Sequence, residues 1–312
     1  MARIPGTELD VSPLCLGTNV FGWTADEQQS FAVLDAFAAA GGNFIDTADA
    51  YSRWVPGHAG GESESIIGAW MSSRGCRDEM IVATKAGMLG PLDADGVRDG
   101  AAASLRRLQT DRIDLYYAHR DDPEMPLRET LTALDELVQA GAVRHIAASN
   151  YSPQRLGEAL AVSDREGLAR YVALQPPYNL MDRDVYEGAL EALCAREGLG
   201  CIPYYGLAKG FLAGKQRLGG ADVDSPRAAS ARAYLQDPRA PAVLEALDTI
   251  AAAHSTSVAS VALAWLASRP TVVAPIASAR TPEQLAELLP FTELKLGEEE
   301  LTRLSHASAP RS

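Results

Sequence analysis

The 312-residue chain is 47% hydrophobic and 22% charged, with 28 basic against 41 acidic residues and a net charge of −13. That balance suits a globular α/β protein, and it disfavours broad binding to nucleic acid or to anionic membranes. A chain of this size buries roughly three quarters of its unfolded surface, so it needs no disulfide frame. The cysteines Cys15, Cys76, Cys194 and Cys201 form no CxxC pair, and no His-x-x-His spacing suggests a metal site. The start, MARIPGTELD, lacks an apolar signal core, and no run reaches the ~18 apolar residues of a membrane span. The expectation is a soluble protein of the cytoplasm, a monomer or weak homo-oligomer, with a small molecule as its partner and no nucleic acid or membrane.

In chain order, ARIPGTELDVSPL predicts a hairpin turning at Pro5-Gly6. Apolar runs then alternate with amphipathic ones. The strand candidates are LCLGT at 14–18, NFIDTA at 43–48, MIVATK at 80–85, RIDLYYAH at 112–119, VRHIAAS at 143–149, YVALQ at 171–175, GCIPYY at 200–205 and TVVAPIA at 271–277. They are nearly continuously apolar, as strands buried on both faces must be. Helical periodicity lies between them, for example in DEQQSFAVLDAFAAAG and PLRETLTALDELVQAG. Gly41, Gly141 and Gly198 stand where left-handed caps are expected, and Ser152-Pro153 reads as an N-cap followed by the first helical residue. Eight strands with intervening helices predict one (β/α)8 TIM barrel across 1–312, its floor plugged by the hairpin. The stretches 52–62 and 206–240 are too long for connectors; both follow strands and so belong to the face where such barrels carry their sites.

Four polar residues mark that face. Asp46, Lys85 and His119 end the second, third and fourth strands, and Tyr51 follows Asp46 on the next loop. The gaps from Tyr51 to Lys85 and from Lys85 to His119 are both 34 residues, about one βα unit. A parallel barrel brings all four to one edge. A phenol of ordinary pKa, about 10, donates a proton poorly at neutral pH. A neighbouring ammonium held by a carboxylate is expected to lower it. His119 can hydrogen-bond and orient a carbonyl oxygen. The competing reading of each residue alone is a strand cap, or a structural Lys–Asp ion pair.

DTADAY, VATK and DLYYAHRDD resemble the signature of the aldo-keto reductase superfamily. AASN at 147–150, QPPYNLMDR at 175–183, YYGLAKGFLAGK at 204–215 and PIASARTPEQLAEL at 275–288 resemble its later blocks, in order. The resemblance implies an oxidoreductase that reduces a carbonyl by direct hydride transfer from a nicotinamide cofactor, usually NADPH with NADH possible, and without a metal. Tyr51 would be the general acid, Lys85 and Asp46 its tuners and His119 the orienter. Ser149, Asn150 and Gln175 would hold the carboxamide, and Tyr204 would stack on the nicotinamide. The phosphates would run along 206–215, with Leu207, Gly210 and Lys215. Ser278 and Arg280 would meet the 2′-phosphate, and Gln284 and Glu287 the adenosine.

Four positions depart from the family pattern. Ser52 replaces a glycine after the tyrosine, Tyr205-Gly206 replaces Ser-Pro, and Leu288 stands where Asn is usual. Trp54 and Arg120 are candidates for the substrate pocket, which loops 18–23, 52–62 and 206–240 would shape. Two rival functions remain at this point. One is a cofactor-binding regulatory subunit with little turnover; the other is an aldolase using Lys85 as a Schiff-base nucleophile.

Overall fold

The computed structural model describes residues 1–216 and 227–310; the part of the long loop at 217–226 lies outside the described residues. β1 (Ala2–Arg3) and β2 (Asp10–Val11) pair antiparallel. Their turn is made where expected: Thr7 N–H donates to Ile4 O at 3.2 Å, with Gly6 at φ 70° in the left-handed position a type II turn requires.

Eight parallel strands follow: β3 (Cys15–Gly17), β4 (Phe44–Asp46), β5 (Ile81–Ala86), β6 (Ile113–Ala118), β7 (Val143–Ser149), β8 (Tyr171–Gln175), β9 (Gly200–Cys201) and β10 (Ile276–Ala277). β10 pairs with β3, and the ring closes where Cys201 N–H donates to Thr271 O at 2.8 Å and Ile276 N–H to Pro203 O at 2.9 Å. Together with the intervening helices these strands form a (β/α)8 barrel. The seventh and eighth strands are shorter than 200–205 and 271–277 because Pro203 and Pro275 lack the N–H a ladder needs.

Inside the ring, side chains follow the period of two. Cys15, Phe44, Ala83, Leu115, Ala147 and Ala173 pack with Ile4, Leu9 and Val11 of the hairpin, so the hairpin closes the barrel floor. The next inward position on successive strands is Asp46, Lys85, Tyr117, Ser149 and Gln175. Each lies two residues beyond an apolar one. A dry apolar layer is therefore topped by a polar layer at the C-terminal rim.

The outer faces of the strands bury against helices. α1 (Glu27–Ala39) begins with a capping box between Asp26 and Gln29; α2 (Glu62–Arg74), α3 (Ala94–Leu108) and α4 (Leu127–Gln139) follow, and α5 (Pro153–Glu166) begins with Ser152 accepting from Arg155 N–H. α6 spans Ala189–Glu197 and starts no earlier because Gly188 at φ 92° breaks helical geometry just before it. α7 (Ala228–Ala233), α8 (Ala240–Ala253), α9 (Val258–Ala267) and α10 (Pro282–Leu288) continue the chain, and α11 (Glu298–Ala307) packs on α8 outside the ring. Among the described residues no single helix is long and apolar enough to cross a membrane.

Candidate active site

The polar layer converges on one carboxylate. Asp46 and Lys85 are 1% and 0% exposed. Lys85 Nζ donates to Asp46 Oδ2 at 2.7 Å, to the Thr47 carbonyl at 2.7 Å and to Tyr51 Oη at 2.9 Å. These acceptors match the three N–H donors of an ammonium. Tyr51 Oη donates in turn to Asp46 Oδ2 at 3.1 Å. The other carboxylate oxygen accepts from Gln175 Nε2 at 2.8 Å. The strand end carrying Asp46 is held by a hydroxyl chain: Thr47 Oγ1 donates to Ser63 Oγ, Ser63 to Thr18 Oγ1, and Thr18 to the Asp46 carbonyl.

The expected lowering of the Tyr51 pKa is reversed. Burial pushes it well above 10, and the Asp46 carboxylate beside it adds to the rise. The phenol is therefore held protonated. Burial, helped by Lys85 and Arg120, drives His119 down to about 3, so its imidazole is neutral. Its ring lies 6.3 Å from that of Tyr51, and Nδ1 is buried without a partner among the described residues.

Tyr51 and His119 open onto a cavity of about 880 Å³. The structure brings Ser149, Asn150, Gln175, Tyr204, Leu207, Gly210, Ser278, Arg280, Gln284 and Trp54 to its walls. Asn150, at φ 57°, donates to the His119 carbonyl and accepts from Tyr204 Oη at 2.8 Å. Asparagine tolerates that left-handed position better than most residues. Ser149 Oγ donates to the Gln175 carbonyl at 2.9 Å, and Ser278 Oγ to Asn19 Oδ1 at 3.0 Å.

Three expected residues stand off the walls. Arg120 Nε donates to the Gly87 carbonyl at 3.1 Å and does not line the cavity. It does not pair with Asp121 either, whose carboxylate is taken by Arg155. Lys215 and Glu287 face each other at 3.6 Å, away from the lining.

The wall also includes Asn19, Trp23, Arg53, Met88, Lys209 and Arg227, to which no site role was attached on sequence grounds. Loops 18–23 and 52–62 were the available signal for the first three. Trp23 and Trp54 meet edge to face at 5.6 Å. Ser52 takes φ 70°, the conformation of the glycine it replaces, with its Oγ donating to the Phe21 carbonyl at 2.7 Å. Tyr205, at φ 56°, likewise turns the chain left-handed after the seventh strand.

Behind the acid lies a second polar cluster. Glu64 is wholly buried, accepting from Thr84 Oγ1 at 2.5 Å and Arg107 Nε at 2.6 Å. Asp49, on the loop joining Asp46 to Tyr51, has Oδ1 buried without a partner among the described residues. Burial, and then the Glu64 carboxylate, raise its pKa to about 7.

Two ends of the cavity fit a dinucleotide. Amide and hydroxyl groups gather beside Tyr51, while Lys209, Ser278 and Arg280 offer cations and a hydroxyl at the other end, and among the described residues no carboxylate lines the cavity. Gly17 narrows that wall: a Cβ there would come within 2.7 Å of Ile276 and 2.9 Å of Ser278 Oγ.

Comparison with known proteins agrees with this geometry. Residues 13–309 match the Aldo/keto reductase family. The chain is 32% identical to norsolorinic acid reductase B of Aspergillus parasiticus, over 97% of this chain and 82% of that protein. It is 35% identical to the uncharacterized oxidoreductase YrpG of Bacillus subtilis, over 96% and 93% of the two chains. It is 31% identical to protein tas of Escherichia coli, over 97% and 95%.

Proposed function

The chain belongs to the aldo/keto reductase family and is an NAD(P)H-dependent oxidoreductase; we propose that it uses NADPH to reduce an aldehyde or ketone to the alcohol, with Tyr51 as the general acid. The observation that carries this reading is the Tyr51–Lys85–Asp46 hydrogen-bonded set opening on the cavity beside a neutral His119. The bound nicotinamide supplies the hydride that reduces the carbonyl carbon.

The chain's own residues do the rest. His119 donates an N–H to the carbonyl oxygen and fixes it near Tyr51 Oη. Tyr51 passes its proton to that oxygen as negative charge develops there, and Lys85, 2.9 Å away, stabilises the tyrosinate that remains. Asp46 keeps Lys85 in place. Ser149, Asn150 and Gln175 hold the carboxamide: Gln175 Nε2 is committed to Asp46, so its Oε1 is the group left to accept from the carboxamide NH2. Tyr204 supplies the flat surface under the nicotinamide. Leu207, Lys209 and Gly210 follow the diphosphate, and Arg280 with Ser278 meets the 2′-phosphate, to which a guanidinium fork is suited. Gln284 lies at the adenosine end, with the Lys215–Glu287 pair beyond it.

Relatives named as reductases of norsolorinic acid support the reductive direction. The Schiff-base reading is disfavoured because Lys85 Nζ already faces three acceptors, which leaves no lone pair for a nucleophile.

The test is a titration with NADPH and with NADH, following the fluorescence of the tryptophans, two of which line the cavity, then turnover on a panel of aldehydes. Tight NADPH binding, weak NADH binding and turnover are expected. Equal binding would remove Arg280 from its role. Binding without turnover would turn the reading to a regulatory subunit, and binding of neither cofactor would overturn it.

A further inference from the structure

The cavity carries charge opposite to that of the protein. The chain has a net charge of −13, yet among the described residues the lining includes Arg53, Lys209, Arg227 and Arg280 and no aspartate or glutamate. Lys209 and Arg280 fall in the segments assigned above to cofactor phosphates. Arg53 does not: it stands two residues past Tyr51, and its Nη1 donates to the carbonyl of Met88, another wall residue, at 2.9 Å. It has no carboxylate partner among the described residues, whereas Arg155, on the same face, is paired with Asp121. Arg227 approaches from the far loop and lies 5.4 Å over the Trp23 ring, close enough for its charge to bear on Tyr51.

Between these cations the wall is aromatic and apolar. Trp23 and Trp54 meet edge to face, Trp54 lies 6.3 Å from the Tyr51 ring, and Trp54 and Met88 remain 47% and 38% exposed. Exposed apolar surface at a cavity mouth marks a place where an apolar body binds. Cations beside it, in a protein this acidic, ask for an anion on the same body.

We propose that the preferred substrate is an aromatic carbonyl compound bearing an acidic group on its ring, such as a carboxylate, with the ring against Trp23, Trp54 and Met88 and the anion on Arg53. This assignment rests on the reductase reading above. The reaction is unchanged by it: the carbonyl carbon gains the hydride, its oxygen gains the Tyr51 proton, and the ring substituent neither gains nor loses electrons.

The test compares 4-carboxybenzaldehyde with its neutral methyl ester, which shares the ring and the aldehyde. Wild-type kcat/KM for the acid should exceed that for the ester by about tenfold, the scale of a charge-assisted hydrogen bond. Arg53→Met should erase that preference through KM for the acid, change the ester by less than about threefold and leave NADPH affinity unaltered; Arg53→Lys should retain part of the preference. Equal use of acid and ester by the wild type would overturn the proposal and leave the reductase reading standing, as would an Arg53→Met enzyme that loses both substrates alike. Weakened NADPH binding in Arg53→Met would give the cation to a cofactor phosphate and overturn it too. Failure to reduce either aldehyde would overturn the proposal, and the reductase reading would fall with it only if the wider aldehyde panel also gave no turnover.

Discussion

Replacing Tyr51 by phenylalanine removes one oxygen and little else. Lys85 keeps its bonds to Asp46 Oδ2 and to the Thr47 carbonyl, both at 2.7 Å, and Asp46 Oδ1 keeps Gln175 at 2.8 Å. The carboxylate therefore still has two donors, and the stability cost should stay near that of a single hydrogen bond, about 1 kcal/mol. Catalysis should suffer far more. Positioned proton transfer typically contributes a factor of about 10² to 10⁴, or roughly 2.7 to 5.4 kcal/mol of barrier at 1.36 per decade. The assay is kcat at saturating NADPH and aldehyde, followed by cofactor absorbance, with NADPH affinity measured separately by tryptophan quenching. Affinity should change by less than about twofold, because Tyr51 touches none of the groups assigned to the cofactor's diphosphate or adenosine. A variant that keeps more than about a tenth of kcat would refute the assignment of Tyr51 as the acid.

Three further expectations concern pH and strain. Asp49, raised to about 7 from an unfolded value near 3.8, binds its proton more tightly in the folded state. Its presence therefore costs stability progressively as pH rises from about 4 to 7, by up to roughly 4 kcal/mol. Asp49→Asn should accordingly be more stable than wild type in urea at pH 8 and near parity at pH 4; an identical difference at both pH values would sink the argument. His119, held down to about 3, should show neutral-imidazole NMR shifts throughout pH 5 to 8, and a titration near 6.5 would contradict its burial. Ser52→Gly relieves a left-handed serine, worth about 1–2 kcal/mol, while losing a hydrogen bond of about 1 kcal/mol. The two nearly offset, so urea denaturation should show a change of about 1 kcal/mol or less.

The barrel was legible because buried parallel strands leave an apolar signature and short connectors leave their caps. The convergence of Asp46, Lys85 and His119 was legible for a related reason: a strand that turns polar at its last inward position announces the rim. Contacts between distant segments carry no such signal. The Gln175–Asp46 bond joins residues 129 apart in sequence, and nothing in the spacing distinguishes it from a glutamine facing only a ligand. The same holds for Met88 and Arg227, which reach the cavity from loops of no fixed period. Arg120 misled because adjacency to His119 in sequence places it on the other side of the rim, where the Gly87 carbonyl takes its Nε. The Tyr51 shift was misjudged for want of one quantity, burial. A nearby ammonium lowers a phenol's pKa, but this phenol is raised, by burial first and by the Asp46 carboxylate next.

That reversal bears on how the acid works. A phenol with a raised pKa is a weaker donor to water, yet the acceptor here is not water. As the carbonyl carbon accepts hydride, its oxygen gathers charge toward an alkoxide, whose basicity approaches that of hydroxide and far exceeds that of water. Transfer from Tyr51 is then favourable without a lowered pKa, provided the proton can leave Asp46. A carbonyl oxygen held by His119 competes with Asp46 Oδ2 for the single Tyr51 proton, and moving that proton to substrate removes the phenol's bond to a carboxylate while leaving its bond from Lys85 intact. On the mechanism proposed above, the Asp46 contact would guard the proton in the resting enzyme, and the Lys85 contact would stabilise the tyrosinate once transfer is under way. If Tyr51 is the acid as proposed, the arrangement concentrates its stabilisation in the transition state, where it raises kcat, rather than in the bound ground state, where it would only lower KM.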